Sequence, residues 1–151
     1  MKKILESLFY LFFPLLIGGI VGFLISGSIQ YDSLIKPPLA PPAKLFPIAW
    51  SIIYLFMGIS YFLLMRKKDY IPLEKMIYYL QLFVNAMWSI IFFLWKWRIF
   101  AILWILLLDF LVIKMILLFY NSKKISAYLN IPYLIWIVFA TYLTIGIVIL
   151  N

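Results

Sequence analysis

Five long apolar stretches, separated by short charged or proline-rich segments, dominate the chain. Uncharged runs cover residues 7–31, 45–65, 76–95 and 125–151, and the run from 99 to 122 is interrupted only by Asp109 and Lys114. A membrane-spanning helix needs about 20 apolar residues, and a lipid-exposed segment must satisfy its own backbone hydrogen bonds. We therefore predict an all-α integral membrane protein, a single transmembrane domain over residues 1–151. Its five helices are expected at about 5–27, 45–65, 73–95, 99–120 and 126–149.

Composition and charge support this reading and exclude other classes. Of the 151 residues, 68% are hydrophobic and 12% charged, whereas globular domains carry about 25% charged residues. The net charge is +8, but the basic residues are few and flank the apolar runs, as in membrane proteins. They do not form the basic patch of a nucleic-acid-binding protein.

The distribution of Lys and Arg predicts the orientation. The N-terminus and the loops after the second and fourth helices hold eight basic residues: Lys2, Lys3, Arg66, Lys67, Lys68, Lys75, Lys123 and Lys124. The other side holds four: Lys36, Lys44, Lys96 and Arg98. The positive-inside rule then places the N-terminus in the cytoplasm and the C-terminus outside. Residue usage rich in Ile and Lys indicates a bacterial plasma membrane.

The longest predicted loop, about 28–44, lies outside in this topology. It contains Pro37, Pro38, Pro41 and Pro42. Proline fixes its own φ and restricts the preceding residue, so we expect a stiff, extended cover over the bundle.

The chain has no Cys and no His. Disulfides, thiolate nucleophiles, imidazole metal ligands and His-based acid–base catalysis are therefore excluded. We predict no metal site and no required cofactor.

Three predicted helices carry aromatic, small and amide side chains at helical spacing. They are Trp50, Tyr54, Gly58 and Tyr61 in the second; Gln81, Asn85, Trp88, Ser89 and Phe92 in the third; and Pro132, Trp136, Ala140 and Thr144 in the fifth, where Pro132 should kink the helix. Amides must avoid lipid and point inward. The converging faces predict an apolar pocket with few polar groups, suited to a flat ligand. Ordinary core packing is the alternative.

Two further features have two interpretations each. Gly18, Gly22 and Ser26 form a stripe of small residues, which allows close helix contact either within the bundle or between two copies. Asp109, near the middle of the fourth helix, is costly in lipid and should face protein or water. It is either a proton or ligand contact or a hydrogen-bonded structural residue.

Four segments of the chain form a recognisable set. They are Leu34-Ile-Lys-Pro-Pro with Ala40-Pro-Pro; Phe46-Pro-Ile-Ala-Trp-Ser-Ile-Ile-Tyr with Met57-Gly-Ile-Ser-Tyr; Gln81-Leu-Phe-Val-Asn-Ala-Met-Trp-Ser-Ile-Ile-Phe-Phe; and Ile131-Pro-Tyr-Leu-Ile-Trp-Ile-Val-Phe-Ala-Thr-Tyr-Leu. Together they resemble the TspO/MBR family, which includes translocator protein, the peripheral benzodiazepine receptor and tryptophan-rich sensory protein. The matches extend in order from residue 34 to the end of the chain.

The resemblance implies a five-helix bundle, usually a homodimer, that binds porphyrins and, in some members, sterols and synthetic aromatic compounds. The family's pocket lies beneath the loop between the first two helices. Residues at matching positions are Trp50, Tyr54, Asn85, Trp88, Trp136 and Ala140. With Phe92, which shares the predicted inward face of the third helix, they make seven predicted ligand-binding residues. The resemblance further implies that Trp50 and Trp136 are the catalytic residues if the protein degrades protoporphyrin IX in light.

The sequence also departs from the family pattern. Gln30, Leu39 and Lys44 stand in the loop where family members often carry Trp, so the resemblance predicts a less aromatic cover. No basic residue follows Tyr142, and the sterol motif proposed near this end requires one.

Three functions fit these features. The first is a membrane protein that binds and senses tetrapyrroles such as protoporphyrin IX or haem. The second is an enzyme that degrades protoporphyrin IX in a light-dependent reaction. The third is a transporter of porphyrins or other apolar ligands, although transporters usually show internal repeats and none is visible here.

Overall fold

The computed structural model describes residues 2–66 and 71–151, with side chains from residue 5 onward. The helices are α1 (Lys2–Ile25), α2 (Leu45–Met65), α3 (Pro72–Ser89), α4 (Arg98–Ser122), α5 (Lys124–Tyr128) and α6 (Ile131–Leu150). Within the described residues, five helical segments are long and apolar enough to cross a membrane: Leu5–Ser28, Leu45–Met65, Pro72–Leu94, Arg98–Ser122 and Lys124–Leu150. The predicted all-α architecture with five spans is confirmed.

The spans pack around a core of large apolar side chains. α1 packs mainly against α2, α3 against α4, and α4 against α6, whereas α2 and α6 meet at only a few positions. Met57, Val112, Met115, Phe119 and Ile137 are fully buried between them. Because α2 and α6 touch so little, a space remains between them at one end of the bundle.

The fifth span is divided in two, which differs from the single kinked helix expected over 126–149. α5 ends at Tyr128 and α6 begins at Ile131, so Pro132 falls in the first turn of α6. Proline is tolerated there because that turn's N–H groups have no helical acceptor.

Polar contacts hold the break between α5 and α6. Ser60 and Ser126 exchange hydroxyl-to-carbonyl hydrogen bonds of 2.7 and 2.9 Å, and Asn130 Nδ2 donates to Ser60 Oγ at 2.7 Å.

α3 continues as a π-helical turn over Ile90–Leu94. The Trp95 N–H donates to the Ile90 carbonyl at 2.9 Å, five residues back instead of four. A turn with an extra residue changes which side chains share a face with the preceding α-helix. This turn lies where α3 meets the space between the helices.

The loop between α1 and α2, the connection between α3 and α4, and Asn151 lie at the same end of the bundle. The Ile35 N–H donates to Asn151 Oδ1 at 3.0 Å, and Lys96 Nζ donates to Gln30 Oε1 at 3.2 Å. The assignment of this end to the outside stays a prediction. Lys67 and Lys68, on which part of that prediction depends, lie outside the described residues.

Candidate functional site

A cavity of about 480 Å³ lies beneath the loop, between α1, α2, α3 and α6. Its size falls within the usual range of small-molecule sites, about 300–1,000 Å³. The described lining is mainly aromatic or small and contains no charged side chain. It consists of Leu15, Gly18, Gly19, Val21, Gly22, Ile25, Ser26, Ile29, Tyr31, Ala43, Phe46, Pro47, Trp50, Ser51, Tyr54, Trp88, Ser89, Phe93, Trp136 and Ala140.

Aromatic rings in mutual contact form one wall. Trp50 stacks on Tyr54, with ring centroids 5.4 Å apart and planes at 27°. Trp50 also meets Trp136 edge-on, at 6.4 Å and 87°, and Phe46 meets Trp136 at 5.9 Å. Such contacts favour fixed ring orientations, so the wall offers a rigid surface on which a flat ligand can stack.

Five of the seven predicted site residues line the cavity: Trp50, Tyr54, Trp88, Trp136 and Ala140. Phe92 does not. It is buried, 4% exposed, and stacks on Trp88 at 5.6 Å, while Phe93 takes the place at the cavity. The π-helical turn explains this difference, because an α-helical register would carry the stripe from Asn85 through Ser89 to Phe92.

Asn85 is the second predicted site residue that lies outside the lining. It is fully buried behind Tyr54, whose hydroxyl donates to Asn85 Oδ1 at 2.9 Å. Asn85 Nδ2 donates to the Tyr133 hydroxyl at 2.7 Å, and that hydroxyl donates to Gln81 Oε1, also at 2.7 Å. The amide therefore holds the aromatic wall from behind, and Gln81 continues the same chain.

The sequence interpretation missed the contribution of α1. A Cβ added at Gly18 would overlap the ring of Tyr54, whereas one added at Gly19 or Gly22 would meet nothing within 4 Å. Within one copy of the chain, Gly18 therefore serves close packing, whereas Gly22 and Ser26 are exposed. Contact between two copies through this stripe stays a prediction. Gly19, next to the predicted stripe, was the available signal, because it widens the small surface beyond a single packing ridge.

The loop roofs the cavity. Tyr31 lies at the top, 4% exposed, and its hydroxyl donates to the Pro41 carbonyl at 3.0 Å. Burial, and to a lesser extent the charge of Asp32, raises the pKa of the Tyr31 phenol. The phenol therefore stays protonated, and remains a donor, at neutral pH.

Several contacts fasten the loop to α6. Asn151 accepts from the Ile35 N–H and donates from Nδ2 to the Ile35 carbonyl, at 3.0 and 2.9 Å. The Tyr142 hydroxyl donates to the Pro38 carbonyl at 2.8 Å. Pro37 packs so closely on Gly146 that a Cβ there would lie 2.6 Å from Pro37 Cγ.

The three loop positions that depart from the family pattern are solvent- or lipid-facing. Gln30, Leu39 and Lys44 are exposed, and none of them lines the cavity. Leu39 is 85% exposed with φ of 67°. The replacements therefore change the outside of the cover and leave its inner side, formed by Tyr31 and Ala43, unchanged.

Asp109 lies away from the cavity, at the contact between α4 and α6. The Thr141 hydroxyl donates to its Oδ2 at 2.8 Å, and the residue is half-buried. Asp109 Oδ1 is buried and accepts no hydrogen bond within the described residues. One carboxylate oxygen therefore has a structural partner and the other has none.

The site's chemistry is that of recognition by aromatic stacking, because the N–H groups of Trp88 and Trp136 do not reach the surface of the cavity. Trp88 Nε1 and Trp136 Nε1 are buried, and within the described residues neither has an acceptor. Buried indole N–H groups usually find a partner. The ionisable groups of the described lining are the phenols of Tyr31 and Tyr54, so the lining offers no carboxylate, imidazole or amine for acid–base catalysis.

Comparison with known proteins agrees with this architecture. Residues 10–150 match the sequence profile of the TspO/MBR family. The chain is 34% identical over 140 residues to the tryptophan-rich protein TspO of Archaeoglobus fulgidus, covering 91% of each chain. It is 32% identical over 127 residues to tryptophan-rich protein TspO of Chlorobaculum tepidum, covering 82% of this chain and 80% of the relative. Protein CrtK of Rhodobacter capsulatus is 33% identical over 136 residues, covering 88% and 85%. The chain is therefore an integral membrane protein that belongs to the TspO/MBR family.

Proposed function

We propose that this protein binds and senses a tetrapyrrole, protoporphyrin IX or a haem-type macrocycle, in the cavity beneath the loop. The observation that carries the proposal is the aromatic wall of Trp50, Tyr54 and Trp136 around about 480 Å³ of space. A flat macrocycle stacks on such rings.

A light-dependent oxidation of protoporphyrin IX is the second candidate, with Trp50 and Trp136 as catalytic residues. Both indoles line the cavity and are in contact with each other at 6.4 Å. A photoexcited macrocycle can take one electron from an adjacent indole, and the reduced macrocycle can pass that electron to dioxygen, which becomes superoxide. The oxidised indole then recovers one electron from the macrocycle. The net result is a macrocycle oxidised by one electron, with dioxygen as the oxidant that the degradation consumes. Transport of porphyrins or other apolar ligands is a third candidate that no specific contact favours.

The remaining parts of the proposal concern the protein's setting. The protein is a homodimer in a bacterial plasma membrane, with the N-terminus in the cytoplasm and the loop and C-terminus outside. Its partners are a flat apolar ligand, the lipid bilayer and a second copy of the chain. No metal or other cofactor is required, and the porphyrin is a ligand.

Quenching of tryptophan fluorescence by protoporphyrin IX tests the binding proposal. Purified protein in detergent is titrated in the dark, comparing wild type with Trp136→Phe and with Trp97→Phe. Each variant loses one indole. Trp97→Phe is the matched control, because Trp97 is 59% exposed and lies outside the cavity lining. We expect saturable quenching in the wild type and Trp97→Phe. In Trp136→Phe a smaller ring replaces the indole, so we expect an affinity lowered about two- to fivefold by loss of part of an aromatic contact worth about 0.5–1.5 kcal/mol.

Equal affinities in all three proteins would contradict the proposed placement. Repeating the titration in light separates the candidates. Loss of the Soret band only on illumination, and less in Trp136→Phe, would favour the enzyme. A stable Soret band would favour binding and sensing.

A further inference from the structure

The contact between α1 and α2 changes along its length. On α2, Ser51, Tyr54 and Gly58 lie 4, 7 and 11 residues after Pro47. The four residues therefore share one face of the helix. The Gly58 end is close-packed, because a Cβ there would overlap the Leu11 backbone. At the other end, Pro47 and Ser51 are exposed although they lie on the same face.

The facing side of α1 shows the same change. Gly18, Gly22 and Ser26 lie 7, 11 and 15 residues after Leu11, so they share one face of α1 with it. Gly18 packs against Tyr54. Gly22 and Ser26, nearer the loop, are exposed, and a Cβ at Gly22 would meet nothing within 4 Å. The two helices therefore touch in the half remote from the loop and separate in the half next to it.

This gap is the mouth of the cavity. Gly19, Gly22, Ser26, Pro47 and Ser51 all line the cavity and are all exposed. The lining residues of α3 and α6, by contrast, are buried or half-buried. Both sides of the mouth belong to candidate membrane spans, Leu5–Ser28 and Leu45–Met65, so the mouth faces lipid.

The polar groups at the mouth are internally satisfied. Ser51 Oγ donates to the Pro47 carbonyl at 2.7 Å, and Ser26 Oγ donates to the Phe23 carbonyl at 2.7 Å. Back-bonding of this kind hides a hydroxyl from its surroundings. The mouth is thus effectively apolar, whereas the loop above the cavity is fastened by the hydrogen bonds of Asn151, Tyr142 and Tyr31.

We propose that flat apolar ligands reach the cavity sideways from the lipid, through the mouth between α1 and α2, while the loop stays closed. The inference rests on the proposed binding function. Access from lipid suits a macrocycle that dissolves in the bilayer, because the ligand then never crosses water and the loop's hydrogen bonds remain intact. Gly22 keeps the mouth open by having no side chain.

Reversible bridging tests the route, because the chain has no native cysteine. One variant carries Ser26→Cys with Ser51→Cys, and is bridged across the mouth by a bis-methanethiosulfonate reagent. The control carries Ile35→Cys with Leu150→Cys, both at exposed positions, and is bridged between the loop and α6 while the Asn151 hydrogen bonds remain. Each protein, in nanodiscs, receives protoporphyrin IX from phosphatidylcholine vesicles, and tryptophan quenching gives the rates of uptake and release.

Bridging the mouth should slow both uptake and release about tenfold, since binding then requires a conformational change, and reductant should restore them. Bridging the loop should leave both rates unchanged. The reverse pattern, or slowing by neither bridge, would overturn the lateral route while leaving binding intact. Absence of quenching in the unbridged proteins would instead contradict the binding function itself.

Two single substitutions test the route independently of the bridges. Gly22→Leu fills the mouth, whereas Gly27→Leu places the same side chain in open space outside the cavity lining. We expect slower uptake and slower release in Gly22→Leu and wild-type rates in Gly27→Leu. Wild-type rates in both variants would overturn the proposal.

Discussion

The Tyr54 hydroxyl donates a hydrogen bond of 2.9 Å to Asn85 Oδ1, and Asn85 is fully buried behind it. Tyr54 lines the cavity, so this bond links the surface that a ligand touches to the polar interior of the bundle. Through Asn85 Nδ2 and the Tyr133 hydroxyl, the link continues to Gln81. A ring held in this way resists rotation when a ligand stacks on the neighbouring indole.

Asn85→Leu should lower stability more than it lowers ligand affinity. The substitution leaves the Tyr54 hydroxyl buried without its acceptor, at a cost of about 1–3 kcal/mol. Thermal unfolding in detergent measures the loss, with Phe83→Leu as the control at an exposed position of the same helix. A variant of unchanged stability that no longer quenches with protoporphyrin IX would show that Asn85 contacts the ligand directly.

Gly58→Ala should weaken the packing of α1 on α2. The added Cβ would overlap the backbone of Leu11, and overpacking of this kind costs about 1–3 kcal/mol. Gly27→Ala is the matched control, because its Cβ would meet nothing within 4 Å. We expect a lower unfolding temperature for Gly58→Ala alone, and equal temperatures for the two variants would contradict the close contact.

Asn151→Ala should loosen the loop without unfolding the bundle. It removes both side-chain hydrogen bonds to Ile35, each worth about 0.5–1.5 kcal/mol. A loss of about 1–2 kcal/mol would raise the population of the locally opened loop about 5- to 30-fold. Hydrogen–deuterium exchange over residues 28–44 measures this population.

Asn121→Ala provides the control for the loop. Asn121 is exposed near the C-terminal end of α4, at the end of the bundle remote from the loop. Exchange in the loop should rise only in Asn151→Ala. Identical exchange in both variants and the wild type would mean that the Asn151 contacts do not hold the loop closed.

Asp109→Asn should preserve stability, because an amide can still accept the hydrogen bond from Thr141. It should also preserve protoporphyrin binding, because the residue lies outside the cavity lining. Asp109→Leu should lower the unfolding temperature by leaving the Thr141 hydroxyl without this acceptor. Stability and quenching are measured on the same samples. Lost quenching in a stable Asp109→Asn protein would indicate a ligand or proton role.

The five spans were predictable from sequence because lipid allows few alternatives to uninterrupted apolar helices. Two local features were not. The break at Leu129 and Asn130 depends on Ser60, about 70 residues away, which bonds Ser126 and Asn130. A pattern within one helix carries no information on such a distant partner.

The aromatic wall was predictable because Trp50, Tyr54 and Trp136 recur at helical spacing and match the family's pocket. That Phe93 and not Phe92 lines the cavity was not predictable. Periodicity assumes an α-helical register, and the π-helical turn at Ile90–Leu94 changes that register. Gly22 was interpreted as a site of close helix packing, because a sequence does not distinguish a missing side chain that admits a neighbouring helix from one that leaves open space.

The location of a bound macrocycle tests the central claim most directly. Crystals of the protein with iron protoporphyrin IX, measured at the iron absorption edge, give the metal position from anomalous scattering. The account predicts one iron peak in the cavity, bounded by Trp50, Trp88 and Trp136 beneath Tyr31. A peak confined to the exposed aromatic residues Trp95 and Trp97, or no peak in crystals whose solution sample shows saturable quenching, would contradict it.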